Sequence, residues 1–201
     1  LDVCVSALSL GTAHPPIETF AAALRGTSRD PKIDLGKFTP INNYLKSIRK
    51  KYAEYETKLV GVDVGCLQHQ VPGGMLSNLE SQLAAMNMTE RLPEILEEVT
   101  RVRADMGYPP LATPSSQMCG AQATTNVIMG QRYGVVSNEM RGYCRGMYGR
   151  PPGPISDELL KKALGDEKPE FKKPADMLEP GFEKARQEIG SLAHSEEDIL
   201  T

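Results

Sequence analysis

The sequence lacks several features that would have placed the protein in a particular class. No apolar run approaches the about 20 residues that a membrane-spanning helix needs, and no basic, apolar leader resembles a signal peptide. No cluster of Lys and Arg occurs and the net charge is −3, which argues against nucleic acid or an anionic membrane as a partner. We therefore expect a cytoplasmic protein without a membrane span.

The cysteines are also few and widely spaced. Because no pair has C-x-x-C spacing, the sequence argues against a zinc site built from cysteines. Each cysteine lies among apolar or small residues, which is typical of buried free thiols in a cytosolic protein. We expect this of all four, Cys4, Cys66, Cys119 and Cys144.

What is present is a globular composition in a chain of 201 residues, enough to bury a core in one or two domains. The chain begins at Leu1 inside an apolar, strand-like run and ends at Thr201, just after the acidic helix start SEEDIL. We therefore expect it to be a fragment or one piece of a split polypeptide.

The most informative stretch is His69–Gln82, HQVPGGMLSNLESQ. Pro72 fixes its own φ and would end a preceding strand, and Gly73 and Gly74 permit backbone angles that other residues avoid. Apolar residues then recur at helical spacing, namely Met75, Leu76, Leu79 and Leu83. The pattern predicts a tight turn leading into a helix, whose free N–H groups can meet an anion or a carbonyl. An ordinary helix start explains the residues equally well.

A strand, a loop and a helix precede this stretch. Asp2–Leu8 alternates and is rich in Val, Ser9–Pro16 reads as a loop, and Ile17–Leu24 reads as a helix that stops at Gly26. A single strand–loop–helix unit cannot make a parallel sheet, because its strand needs neighbours. We expect the strand to pair with something outside this chain.

From Leu35 onward the pattern is helical. Threonine or serine residues can cap three of these helices, at Thr39, at Thr89 and at Ser115 or Ser116. The first has an apolar face and a solvated face that includes Arg49. The second is predicted to face inward with Ile95, Val99 and Val102, and the third to end at Gly130. Three further helices are predicted at Asn138–Tyr148, Asp157–Leu164 and Pro180–Ala193, with a Pro- and Lys-rich segment at 165–175.

The loop Ser9–Pro16 is the best place for chemistry. In parallel barrels the loops after the strands carry the active site, because all strands deliver their C-terminal ends to one face. Thr12 and His14 lie in this loop, and a hydroxyl and an imidazole can transfer protons or bind an anion. A loop with only local hydrogen bonds remains the alternative.

Two blocks resemble one known family. HQVPGGMLSNLESQL resembles the H/E-x-x-P-G-G-x-x-[ST]-N-L motif of biotin-dependent carboxyltransferases, and YPPLATPSSQMCG, from Tyr108 to Gly120, resembles their P-x-x-V-T-P-[ST]-S-Q/K segment. The family comprises the carboxyltransferase parts of pyruvate carboxylase, the oxaloacetate decarboxylase alpha subunit and the pyruvate-using subunit of transcarboxylase. Smaller matches extend the resemblance over the whole chain.

The resemblance implies a mainly α fold in three parts. Residues 1–30 would be the last βα unit of an incomplete (β/α)8 TIM barrel, 31–155 a helical carboxylase domain that roofs the barrel and supports dimerisation, and 156–201 a charged helical tail. It implies a carboxyltransferase that moves CO2 between carboxybiotin and pyruvate or oxaloacetate. This chain would be only a portion of the catalytic unit and inactive alone.

The resemblance also implies roles for particular residues. Thr12 matches a threonine that shuttles a proton between the pyruvate methyl and the biotin ureido nitrogen, and Ser9 and His14 would contact substrate or biotin. The other motif residues would have structural roles: His69, Pro72, Gly73, Gly74, Asn78, Thr113, Pro114, Ser115, Ser116 and Gln117.

The family's metal ligands are expected elsewhere. They are an Asp, an H-x-H pair and a carbamylated Lys on earlier barrel strands, whereas this chain has only His14, His69 and His194 and no H-x-H. The resemblance thus implies no metal ligand here and a divalent metal (Zn, Co or Mn) on the missing barrel. Biotin would be carried on another domain or chain, so the expected partners are that biotin carboxyl carrier, the rest of the barrel and a second copy of the chain.

Two other functions fit the same residues. One is a non-catalytic helical module for assembly or docking. The other is a related metal-dependent TIM-barrel lyase that condenses acyl-CoA with a 2-oxo acid. The PGG and TPSSQ blocks argue against this lyase. Nothing in the sequence separates carboxylase, decarboxylase and transcarboxylase.

Overall fold

Helices make up the regular structure of this protein, for which a computed structural model describes residues 1–56, 58–59, 61–171, 175, 178–195 and 197–200. They are α1 (Ile17–Leu24), α2 (Phe38–Lys51), α3 (Cys66–His69), α4 (Gly73–Ala85), α5 (Leu92–Asp105), α6 (Ser115–Met129), α7 (Asn138–Arg145), α8 (Asp157–Leu164), α9 (Phe182–Ile189) and α10 (Glu197–Leu200). Short 3-10 turns lie at Ser6–Leu8, Leu35–Lys37, Ala53–Tyr55, Thr89–Arg91 and Gly190–Leu192. The predicted mainly α class is confirmed, and none of the helices in the described ranges is long and apolar enough to cross a membrane.

The chain forms two compact units. The first comprises 1–104 and 110–132, and the second comprises 105–109 and 133–201. The predicted division into 1–30, 31–155 and 156–201 stays a prediction.

The predicted strand Asp2–Leu8 is wrong. Within the described ranges there is no strand, and the N-terminal segment makes an isolated parallel bridge between Cys4 and Pro16. The N–H of Cys4 donates to the Pro15 carbonyl (3.1 Å), and its own carbonyl accepts from Ile17 (2.8 Å). Val3 and Val5, which face the opposite edge in an extended chain, donate their N–H groups to no described acceptor. A strand with a partner on only one side, and that partner a loop, cannot extend its ladder.

Side chains turn the segment away from the extended conformation after Val5. The Ser6 N–H donates to the Glu18 carboxylate (3.0 Å), and the Ala7 N–H donates to Asn42 Oδ1 (2.7 Å). Asn42 in turn donates to Glu18. These bonds satisfy the groups that a sheet would have used, so residues 6–8 form a 3-10 turn.

Helix α2 begins earlier than predicted and leaves its apolar face uncovered. The turn Leu35–Lys37 runs directly into it, and the Asp34 side chain accepts the Gly36 N–H (3.0 Å), so Thr39 lies inside the helix and is not its cap. No α2 residue is buried, and Tyr44 is 65% exposed.

The core of the first unit lies among α4, α5 and α6. Ile95, Val99 and Val102 of α5 are fully buried, as the helical spacing predicted. Thr89 starts a 3-10 turn that precedes α5 and makes no capping bond. Helix α6 ends at Gly130 as predicted.

Two buried tyrosines make hydrogen bonds in the core of the second unit. Tyr133 donates its hydroxyl to Asp105 (2.6 Å), and Tyr143 donates to the Met106 carbonyl (2.8 Å). Helix α7 ends at Gly146, whose φ of +96° stops it before the predicted end at Tyr148. Helix α8 spans Asp157–Leu164 as predicted, with Ser156 as its cap (3.3 Å to the Leu159 N–H).

The charged tail contains shorter elements than predicted. Helix α9 covers Phe182–Ile189 of the predicted Pro180–Ala193, and a 3-10 turn follows it. The segment 165–175 is irregular where described, and 172–174 lie outside the described residues.

Candidate functional site

The loop after the N-terminal segment faces a cavity of about 680 Å³, which we call the Thr12 cavity. Ser9, Thr12 and other loop residues form one wall, and Leu45, Ile48, Arg49 and Tyr52 of and after α2 form another. Ser77 of α4 completes it. The structure thus brings two of the three predicted loop residues to one cavity, whereas His14 is exposed and does not line it.

The Thr12 hydroxyl has no hydrogen-bond partner among the described residues, and the side chain is partly buried. Ser9 is different, because it is 7% exposed and its hydroxyl donates to the Ser6 carbonyl (3.0 Å). Of these two loop hydroxyls, that of Thr12 has no partner among the described residues, whereas that of Ser9 is already used.

Arg49 links α2 to the segment that precedes the Thr12 loop. Its Nη1 donates to the Ala7 carbonyl (2.9 Å), and its Nη2 donates to Glu56 (3.1 Å), while its Nε also contacts that carboxylate. The hydrogen bond from Arg49 holds the pKa of Glu56 below its ordinary value, against a smaller effect of burial. The helical pattern placed Arg49 on the solvated face, and its side chain is 41% exposed, but the pattern did not reveal the hydrogen bond to Ala7. Periodicity identifies the face of a helix but not a neighbour from a distant loop.

The PGG turn packs against the backbone of the loop that carries Thr12. A β-carbon on Gly73 would lie 1.7 Å from the Thr12 carbonyl oxygen, so only glycine fits at this contact. Neither Gly73 nor Gly74 has positive φ, so the backbone angles that glycine permits are not used in this turn. What precedes Pro72 is the short helix α3 and a left-handed Gln70 (φ +53°), not a strand.

His69 lies in that turn with its ring buried. Its Nδ1 accepts the Val71 N–H (3.1 Å), which requires the neutral ring, and burial lowers its pKa while the Asp63 carboxylate opposes this. His194 is exposed in the tail. The described residues contain no group of three or more His, Cys, Asp or Glu that could hold a metal ion.

The two sequence motifs meet at a second cavity of about 530 Å³, which we call the motif cavity. It is lined from α4 by Pro72, Gly74 and Asn78, and from the start of α6 by Thr113, Ser116 and Gln117. The predicted serine cap is wrong: α6 begins after the cis peptide Thr113–Pro114, and the Ser115 hydroxyl contacts the carbonyls of Pro110 and Ala112 (2.5 and 2.8 Å) instead of a helix N–H.

The thiols depart from the expected burial at two positions, Cys4 and Cys66. Cys119 and Cys144 are fully buried, and burial raises their pKa values to about 12 and about 11. Cys4 is partly buried, but Cys66 at the start of α3 is exposed.

Comparison with known proteins finds a family match and close relatives. Residues 66–201 match the family described as "Conserved carboxylase domain". The whole chain is 48% identical to a pyruvate carboxylase subunit of Methanothermobacter thermautotrophicus and 46% identical to the 2-oxoglutarate carboxylase large subunit of Hydrogenobacter thermophilus, of which it spans 36% and 32%.

A solved structure has the same fold. The carboxyl transferase domain of Rhizobium etli pyruvate carboxylase, solved with pyruvate, superposes on 98% of this chain with a TM-score of 0.82 and 26% identity. The chain spans 35% of that structure, so it corresponds to about a third of the proteins it resembles.

Proposed function

Because the chain belongs to the conserved carboxylase domain family, we propose that it is the C-terminal part of a biotin-dependent carboxyltransferase that moves CO2 between carboxybiotin and pyruvate or oxaloacetate. The observation that carries this is the Thr12 cavity, in which a partly buried threonine presents an unpaired hydroxyl. The relatives include carboxylases and a carboxyltransferase, the 5S subunit of methylmalonyl-CoA carboxyltransferase.

The walls of the Thr12 cavity suit an uncharged ring such as that of biotin. They are largely apolar, with Leu45 and Ile48 beside Tyr52, and Arg49 is paired with Glu56 and so carries little free charge into the cavity. Biotin, which would be carried on another domain or chain, would bring the carboxyl group into the cavity.

Thr12 would then move one proton. Its oxygen takes a proton from the pyruvate methyl carbon while its own proton passes to the biotin ring nitrogen as CO2 departs, so Thr12 ends as it began. A neutral hydroxyl suits this relay because no net charge is created at the site. Arg49 and Gly73 hold the loop so that the hydroxyl stays between the two reactants.

We place the divalent metal outside this chain. A Lewis acid at the pyruvate oxygen would stabilise the developing enolate, but the described residues include no cluster that fits a metal. The proposal therefore needs an upstream barrel, a biotin carrier and, as a further expectation, a second copy of the chain. The three expected segments, 1–30, 31–155 and 156–201, belong to this proposal.

The test is carboxyl transfer by the full-length protein with its carrier. Thr12→Val keeps the shape of the side chain but removes the hydroxyl, and we expect transfer to fall about 10²- to 10⁴-fold. Thr12→Ser, which keeps the hydroxyl, should retain activity within about tenfold of wild type. Equal losses in both variants would contradict the relay, and transfer absent from the wild-type assembly would favour the non-catalytic module.

A further inference from the structure

The motif cavity has no place in the proposed transfer reaction, and none of its described lining residues is charged. Besides apolar groups it presents five neutral polar side chains, Asn78, Gln82, Thr113, Ser116 and Gln117. None of the five makes a side-chain hydrogen bond with any described residue. Together they present amide and hydroxyl donors that could hydrogen-bond to a ligand in the cavity.

Ser116 is the clearest of these groups. It is only 7% exposed and lines the cavity. Within the described part of the chain, the fully inaccessible side-chain N and O atoms without a partner are His69 Nε2 and Thr124 Oγ1. The unpaired Ser116 hydroxyl therefore reaches open space, and the space beside it is the motif cavity. An unpaired polar group this deeply buried costs free energy unless a ligand or water satisfies it.

The first turns of two helices line this cavity. Gly120 of α6 lies against Met75 and Leu79 of α4, where a β-carbon on Gly120 would meet the Met75 Cε at 2.9 Å. Gly74 from the first turn of α4 and Gln117 from the first turn of α6 both line the cavity.

Neither helix start is capped by a side chain. The backbone N–H groups of Gly74 and Gln117 donate to no described acceptor. Each N-terminus carries the equivalent of about half a positive charge, and no carboxylate among the described lining residues neutralises it. The local field is thus positive although none of the described lining residues is basic.

We propose that the motif cavity binds a small anion, either a carboxylate or a phosphate, beside the first turns of α4 and α6. The Ser116 hydroxyl and the Gln117 amide donate to it, together with the backbone N–H groups of Gly74 and Gln117. The site is separate from the Thr12 cavity, and its existence does not depend on the proposed function.

The test is titration calorimetry of the full-length protein with inorganic phosphate and, separately, with malonate, against sodium chloride at equal ionic strength. We expect saturable binding in the millimolar range, with Kd below about 10 mM for at least one of the two anions. The arm that binds more tightly identifies phosphate or carboxylate as the natural chemistry. No saturable heat with either anion up to about 50 mM would overturn the proposal.

Two substitutions locate the site. Ser116→Ala removes one unpaired hydroxyl and should weaken binding about tenfold, the effect of one hydrogen bond to a charged group. Gln117→Glu places a negative charge at the α6 N-terminus and should abolish binding while leaving the protein at least as stable as wild type, because an acidic residue suits a helix start. A loss of binding without a loss of stability cannot be attributed to misfolding.

Two controls complete the design. Thr125→Val removes a hydroxyl from the same helix, one that donates to the Ala121 carbonyl (2.8 Å) away from the cavity, and should leave binding unchanged. Thr12→Val should also leave it unchanged, because its hydroxyl lines the other cavity. If Thr125→Val weakens binding as much as Ser116→Ala, or if Thr12→Val abolishes it, the anion binds elsewhere and the assignment is wrong.

Discussion

The carbonyl oxygen of Thr12 lies directly against the α-carbon of Gly73, at a point where a β-carbon would be only 1.7 Å away. Thr12 belongs to the N-terminal loop and Gly73 is the first residue of α4. The contact makes the PGG turn and the Thr12 loop one structural unit.

The two adjacent glycines should therefore respond oppositely to alanine. Gly73→Ala forces the Thr12 loop away from α4 and should destabilise the protein by about 2–4 kcal/mol, as a severe backbone clash does. Gly74 has open space at its β-carbon and helical angles, so Gly74→Ala should stabilise by about 0.5–1 kcal/mol. Urea unfolding measures both. Similar destabilisation by the two substitutions would show that the contact is not formed.

Arg49 should matter for activity more than for folding. Arg49→Met removes the hydrogen bond to the Ala7 carbonyl and frees the loop that carries Thr12, so we expect carboxyl transfer by the full-length protein to fall about 10- to 100-fold. Lys50→Met, its exposed neighbour, is the matched control and should retain wild-type activity. Unchanged transfer in Arg49→Met would remove this residue from the site.

Two adjacent glutamates on α5 should differ sharply in stability. Glu98 is 3% exposed and accepts from Asn126 Nδ2 and Arg132 Nε, both at 2.8 Å. Glu98→Ala leaves these donors without their acceptor and should cost about 2–4 kcal/mol in the free energy of unfolding. Glu97 is exposed and contacts Arg101 at 3.4 Å, so Glu97→Ala should cost less than about 0.5 kcal/mol. Equal costs in chemical denaturation would contradict the buried network.

Asp30 predicts a pH dependence with a definite sign. Hydrogen bonds from the N–H groups of Gly26 and Lys32 lower its pKa from 3.8 to about 2. Because the folded pKa is the lower one, the carboxylate stabilises the fold above pH about 4, and this contribution is lost as the pH falls toward 2. The stability difference between wild type and Asp30→Ala should therefore shrink between pH 5 and 2. A difference that is constant over this range would refute the assignment.

The thiols should react in order of their exposure. Mass spectrometry after iodoacetamide treatment at pH 8 should find Cys66 modified first. Cys119 and Cys144 should stay unmodified until denaturant is added, because both are fully buried and their pKa values are raised to about 12 and about 11. Early modification of Cys119 would show that the core of the first unit opens readily.

The helices were largely predictable because each carries its own apolar periodicity, as Ile95, Val99 and Val102 show. The helix starts were not, since Asp34 and Pro114 decide where α2 and α6 begin and nearby Thr39 and Ser115 are equally good caps on paper. The strand failed because it needs partners from outside, and side chains of Glu18 and Asn42 took over its N–H groups.

The site shows the same division. Thr12 could be predicted from the family resemblance by its position after the N-terminal segment, which is local in sequence. Arg49 could not, because its contact with Ala7 joins residues 42 positions apart, and no spacing rule reaches that far. The convergence of Asn78 and Ser116 on one cavity likewise depends on how α4 and α6 pack.

The exposed hydrophobic residues of α2 affect the solubility of the isolated chain. On α2 and just after it, four large hydrophobic residues are solvent-exposed: Ile41, Tyr44, Tyr52 and Tyr55 are 45%, 65%, 57% and 76% exposed. Exposed hydrophobic surface of this kind promotes aggregation when no partner covers it. Preparations of this chain by itself should therefore lose material to aggregation as concentration rises, and co-production with whatever shields α2 should rescue the yield.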